Sequence, residues 1–181
     1  LEGHALRAHA FASLFLWQEE MKLSVCLQEN ALLVRCAARG ENAYFFPCGS
    51  ETGKLELLRD LGEPPGLSLH YVRAQDRLFL SRYWPGRFVF EKMRGDAEYI
   101  YCLTDQLNLQ GGAYKNLRAK IHKAQNRYDW KVIDLDQTCL ERAADVILGW
   151  RGPLGGDRQV AMRAVEYFDA LGLQGVLLEN G

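Results

Sequence analysis

A chain of 181 residues is long enough for one large domain or two small ones, and 48% apolar with 25% charged residues is the balance of an ordinary globular protein. A net charge of −1 and a pI near 6.5 exclude the pervasive basicity of a dedicated nucleic-acid or membrane-surface binder. The longest apolar run near the start, residues 11–17, is too short to cross a bilayer, and no charged region with a cleavage site precedes it.

In chain order, Leu6, Phe11, Leu14, Phe15 and Trp17 fit one face of a short helix. Residues 22–28 (KLSVCLQ) and 31–38 (ALLVRCAA) read as two strands joined by a tight turn at Glu29 and Asn30, and 42–47 reads as a third. The small-residue loop 48–54 (CGSETGK) leads into a helix that carries Leu55, Leu58 and Leu61 and stops at Gly62. This loop lacks the spacing of a nucleotide-binding P-loop, so a capped strand-to-helix turn is the expectation over a phosphate cradle. A strand is predicted over 66–72, a helix over 74–84 ended by Pro85 and Gly86, and strands over 87–93 and 98–103.

Beyond them lies a basic helix. From Ala113 to Lys131 the chain holds six basic residues against one acid, Asp129, which leaves the remainder at about −6. At 100° per residue, Tyr114, Leu117, Ile121, Ala124 and Tyr128 fall within one stripe and are expected to be buried. Lys120, Lys123 and Arg127 lie exposed on one flank, and Arg118 and His122 on the other. Arg118 borders the apolar stripe, where it can bury its stem and aim its planar fork at phosphate or carboxylate. The same pattern also fits a solvated helix with basic decoration.

Residues 130–135 then read as a strand, and Thr138 with Glu141 as a capping box opening a helix to about Trp150. The loop 151–157 ends at Asp157, expected to cap a helix that places Ala161, Val165 and Phe168 on one face and ends near Gly172. Residues 173–179 (LQGVLLE) form a last strand. It is apolar on both faces, with an open edge suited to self-association. The closing Asn180 and Gly181 are a hairpin signal, so the chain is expected to continue.

Cys26, Cys36, Cys48, Cys102 and Cys139 are odd in number, widely spaced and mostly set in apolar runs. No Cys-x-x-Cys pair occurs, so no zinc site is expected, and a reducing compartment, the cytoplasm, is predicted. No nucleophile with a base stands out. His4 and His9 fall in a terminus expected to fray, and His70 in a strand. Asp134, Asp136 and Glu179 near strand ends could act as bases, as carboxylates in any domain could.

The order FASLFLW, YFFPCG and EYIYCLTDQLNLQGGAYKNLRAKIHKAQNRYDWKVIDL resembles a bacterial family related to the C-terminal domain of phosphatidylglycerol lysyltransferases. The most specific parts are the YIY segment, the turn at Leu109 and Gly111, and the helix bearing Tyr114, Arg118, Ile121 and Lys123. The resemblance runs from Phe11 to Glu179. It implies an α/β (α+β) architecture of two tandem acyl-CoA N-acyltransferase-like (GNAT) folds, with mixed sheets flanked by helices. Residues 1–103 would form the first, and 104–181 the basic helix plus the N-terminal half of the second. It further implies transfer of an acyl or aminoacyl group, from acyl-CoA or aminoacyl-tRNA, to a lipid, peptide or amine acceptor.

On that reading Arg118, Lys115, Lys120 and Lys123 bind the phosphates of tRNA or of a small molecule, and His122 is the candidate acid or base. The chain departs from its relatives at Gly112, Ala113, Leu117 and Ala119, where many carry lysine or histidine. The alternative is a non-catalytic module, or a degenerate transferase, whose basic helix binds a polyanion.

Overall fold

The run ALLVRC buries Ala31, Leu32, Leu33 and Val34 together, which a strand achieves only with cover on both faces. The computed structural model, which describes residues 7–150 and 156–180, shows how that cover is supplied. The chain divides into two compact units, one ending at Glu98 and the other beginning at Tyr99.

In the first unit, helix α1 (Phe11–Trp17) leads into β1 (Leu23–Gln28), β2 (Ala31–Cys36) and β3 (Ala43–Gly49), then α2 (Glu51–Leu61), β4 (Ser68–His70) and α3 (Ala74–Tyr83). The sheet order is β1-β2-β3-β4. The first three strands form an antiparallel meander, and β4 joins β3 in parallel after the α2 crossover. Alternation along β2 sends Leu32, Val34 and Cys36 to one face, with Leu14 and Met21 against them. Ala31 and Leu33 go to the other, under Leu57 of α2.

A register shift between β2 and β3 pairs Leu32 with Cys48 but Val34 with Phe45, so β3 carries one extra residue. Pro47, which has no N–H for the ladder, sits within it. The shift brings Cys48 to the same face as Phe45, and Phe46 turns to the opposite side against Leu58 and Leu80. His9, expected in a frayed terminus, is instead 5% exposed, and its Nε2–H donates to the Phe46 carbonyl at 3.0 Å.

Two predicted strands do not form. Over 87–93 the alternation is real, since Phe88 and Phe90 pack on the Phe46 cluster while Val89 is 92% exposed, but the segment finds no ladder partner. Over 98–103, Tyr99, Ile100 and Tyr101 lie exposed without pairing, and Leu103 already starts helix α4 (Leu103–Asn108).

The second unit continues with α5 (Lys115–Arg127), β5 (Trp130–Asp134), α6 (Leu140–Gly149), α7 (Asp157–Glu166) and β6 (Val176–Asn180). The two strands pair antiparallel, with Val132 opposite Leu178 and Ile133 opposite Leu177. One face is shielded: Ile133 and Leu177 are half-buried, whereas Val132, Val176 and Leu178 are exposed. The last strand therefore alternates instead of burying both faces.

Local details also differ from expectation. Thr138 and Glu141 form no capping box; Thr138 turns back through its N–H (2.8 Å) and hydroxyl (2.6 Å) to Asp136, and Cys139 is the N-cap. Asp157 is the first helical residue of α7, after Gly156, and caps nothing. That helix stops at Glu166, short of Gly172, although Phe168 is buried beyond it. Leu6, His4 and residues 151–155 of the predicted loop lie outside the described residues.

Candidate functional site

Helix α5 forms where the sequence places it, and its lysines and Arg127 are exposed. Among the described residues, Lys115, Lys120, Lys123 and Lys131 enter no ion pair. Arg127 lies over the Tyr128 ring, 5.2 Å from its centroid. The spacing of Lys120, Lys123 and Arg127 makes one basic ridge along the helix.

The expected burial of its apolar stripe is corrected. Leu117 and Ile121 are 40% and 38% exposed, and Ala124 is half-buried. The reason lies in packing: among the described residues α5 packs chiefly against the short turn Gly112–Tyr114, which covers the stripe only in part.

Arg118 is half-buried, as a border position implies, but one of its amino groups donates to the backbone carbonyls of Leu109 and, at 2.9 Å, Gly111. Those carbonyls belong to a turn in which Leu109 has φ 48° and Gly111 φ 84°. Left-handed backbone is costly for leucine, and a charged donor helps to hold it. Arg118 thus braces the turn ahead of its own helix. His122 is exposed on the same helix.

The 48–54 loop reduces to a tight turn. Ser50 accepts from the Gly53 N–H at 3.0 Å to cap α2, and the Ser50 N–H is spent on the Asn30 carbonyl at 2.9 Å. The Gly49 backbone lies against Asn30, where an added Cβ would stand 2.2 Å from the Asn30 carbonyl oxygen, so the loop is a capped strand-to-helix turn. Of the three candidate carboxylates, Asp136 is held below the usual carboxylate range by the hydrogen bonds from Thr138, and Glu179 pairs with Arg142. Asp134 is exposed at the end of β5.

What sequence reasoning missed lies in the first unit. Arg39 grips Asp96 through two hydrogen bonds of 2.7 Å each, a bidentate pair with side chains only 24% and 17% exposed. The same guanidinium donates to His70 Nδ1 at 3.0 Å and stands over the Tyr71 ring. An accepting Nδ1 fixes His70 as the neutral tautomer, whose Nε2–H meets Ser68 Oγ at 3.3 Å. Burial, and then the Arg39 charge, lower the His70 pKa; the Arg39 hydrogen bonds lower that of Asp96. Burial raises the Tyr71 hydroxyl.

Beside this clasp lies a half-open cavity of about 250 Å³, with Leu14, Trp17, Met21 and Phe45 among its apolar lining and Arg7, Ser13, Arg39, Asp96 and Glu98 among its polar lining. A second hollow shares Tyr71, Asp96, Ala97 and Glu98. Separations of 57 residues (Arg39 to Asp96) leave no local signal for such a site.

Among the described residues no group of side chains could hold a metal ion, and no helix is long and apolar enough to cross a membrane. Fold and charge together define an α/β protein with a walled cavity in one unit and an unpaired basic helix in the other. The chain belongs to the phosphatidylglycerol lysyltransferase C-terminal family, whose model matches residues 3–181. Its fold is similar to the crystal structure of a conserved protein of unknown function from Bacteroides thetaiotaomicron VPI-5482. The two are 24% identical with a TM-score of 0.83, and the match covers 96% of this chain and 63% of that one. The chain therefore spans less than two thirds of that protein's length. No curated protein matches it.

Proposed function

We propose that the chain belongs to a protein that transfers an acyl or aminoacyl group from acyl-CoA or aminoacyl-tRNA to a lipid, peptide or amine acceptor. In this reading α5 receives the phosphates of the donor. The observation that carries it is the basic ridge: cations without acidic partners among the described residues, on one helix, in a chain that is otherwise acidic. Lys115, Lys120 and Lys123 supply the charge. Arg118 orders the preceding turn and presents its free edge to the same anion. His122, on the same helix, is the candidate acid or base.

The chemistry asks little of a covalent nucleophile. Attack by an acceptor amine or hydroxyl on an activated carbonyl needs an oriented donor and hydrogen-bond donors at the developing oxyanion. The reading of two tandem GNAT folds is supported by the meander with its parallel fourth strand in the first unit, and by the strand, two helices and strand of the second. We place the protein in the cytoplasm, in keeping with five cysteines that are all free.

The test is equilibrium binding of aminoacylated tRNA and of acyl-CoA at several salt concentrations, with transfer to amine and lipid acceptors followed in parallel. Lys120→Gln with Lys123→Gln should flatten the salt dependence of tRNA affinity by a slope of about 0.7–0.9 for each phosphate left without its lysine. Arg118→Ala should weaken binding at every salt concentration. Saturable binding without transfer would select the polyanion-binding module instead. Affinities unchanged in both variants would remove α5 from the reading.

A further inference from the structure

We propose that the cavity of the first unit binds a small zwitterion of amino-acid size, with its ammonium at Glu98, its carboxylate at Arg7 and an apolar side chain against Trp17 and Phe45. The site involves only residues of the first unit and is independent of the anion site assigned to α5.

The argument begins with size. A cavity of about 250 Å³ falls below the range of about 300–1,000 Å³ that holds drug-sized ligands. It suits a ligand the size of a single amino acid. Its apolar lining is built from α1, through Leu14 and Trp17, and from the sheet, where Phe45 is 4% exposed and belongs to the core. Such a surface rewards a branched or aromatic side chain through burial.

Charge then decides the head group. Four ionised side chains line the cavity: Arg7, Arg39, Asp96 and Glu98. Arg39 and Asp96 spend their charges on one another through the bidentate clasp. One cation, Arg7, and one anion, Glu98, remain without a charged partner among the described residues. The backbone N–H of Ala8, next to Arg7, reaches Glu98 Oε1 at 3.4 Å, so the chain at Arg7 runs beside Glu98 along the cavity lining. That bond is long, and it leaves the other carboxylate oxygen available.

A simple anion would gain Arg7 but face Glu98, and a simple cation would gain Glu98 but face Arg7. Only a molecule carrying both charges satisfies the two without repulsion, so the cavity discriminates by the charge it penalises as well as by the one it attracts. Ser13 in the lining adds a hydroxyl able to donate or accept.

The experiment titrates the chain with leucine, with leucinamide, which keeps only the ammonium, and with N-acetyl-leucine, which keeps only the carboxylate. Heats of binding and ligand-observed NMR give the affinities. Leucine should bind saturably in about the millimolar range, and each blocked form about tenfold more weakly. Glu98→Gln should weaken leucine by about tenfold and leave N-acetyl-leucine equal to it or better. Arg7→Gln should do the same in favour of leucinamide. Glu56→Gln, at an exposed position of α2 away from the cavity lining, serves as a control for nonspecific charge effects. A crossed change of preference is something a purely structural role could not produce. Equal affinities for the three ligands, no saturable binding of leucine, or variants that lose all three ligands alike would overturn the proposal.

Discussion

Arg39→Met removes the guanidinium from the clasp while keeping most of its length. Asp96, 17% exposed, would then hold a carboxylate deprived of both 2.7 Å hydrogen bonds and of its counter-charge, and His70 would lose its donor. Breaking a fully buried pair from one side costs about 3–5 kcal/mol. Arg39 retains 24% exposure and Asp96 can relax toward water, so the expected loss here is about 2–3 kcal/mol. Asp96→Asn keeps one neutral acceptor and should cost less, about 1–2 kcal/mol. Arg39→Met combined with Asp96→Leu removes both charges, and should be no worse than Arg39→Met alone.

Urea unfolding followed by fluorescence measures each term, and wild type, Arg39→Met, Asp96→Leu and the double variant close a double-mutant cycle. A coupling above about 1 kcal/mol is expected, because the two residues share one pair of hydrogen bonds. Hydrogen exchange offers an independent view: the Asp96 and Ala97 amides, bonded to the Met93 and Arg94 carbonyls, should lose protection in Arg39→Met, since the clasp helps to hold this turn in place. Single substitutions that add within about 0.5 kcal/mol would refute the reasoning, because they would mean the pair contributes nothing as a pair.

Acidification should weaken the first unit in two stages. Burial lowers His9 and His70 below the ordinary value, so the stability they confer is complete above about pH 6.5 and is lost as pH falls from there through their folded values. Asp96, lowered by Arg39, contributes above about pH 3.9 and loses that contribution on further acidification. His70→Gln should shrink the first stage and spare the second; a urea midpoint that rises as pH drops below 6.5 would contradict both assignments. Gly49→Ala should cost more than about 2 kcal/mol, because a Cβ there would sit 2.2 Å from the Asn30 carbonyl oxygen on backbone with φ 133°. A thermal melt unchanged by that substitution would show that the turn between β3 and α2 yields. β6 pairs with β5 along one edge, and Val176 and Leu178 are exposed beside it, so the chain should self-associate through 173–179. Val176→Lys should abolish that association in light scattering, and a wild-type mass that stays monomeric at high concentration would exclude it.

How much of this was legible depended on how far apart the partners lie in sequence. The Glu29–Asn30 turn, the Ser50 cap, the stop at Gly62 and the cationic flank of α5 each arise within a few residues, and the sequence shows them directly. Thr138 and Asp157 show the limit of such reading even locally. Asp136 offers Thr138 a closer acceptor than the amides ahead, and a helix that begins at Asp157 leaves it no cap to make. Arg118 borders the apolar stripe in the sequence pattern, but its immediate targets are backbone carbonyls, which no residue pattern displays.

The sequence by itself determined the α/β class, most of the elements, the family and the charge of α5, because periodicity, caps and net charge are properties of neighbouring residues. Only the tertiary structure decided which extended segments became strands. Residues 87–93 alternate as a strand should, with Phe88 and Phe90 on the core, yet a ladder requires a second chain segment and none pairs with them. It also decided that His9 is buried, that Cys48 shares a face with Phe45, and that Arg39, His70 and Asp96 converge beside one cavity. Convergence of that kind is set by sheet order and by a one-residue bulge, and each acts across tens of residues where local pattern carries no information.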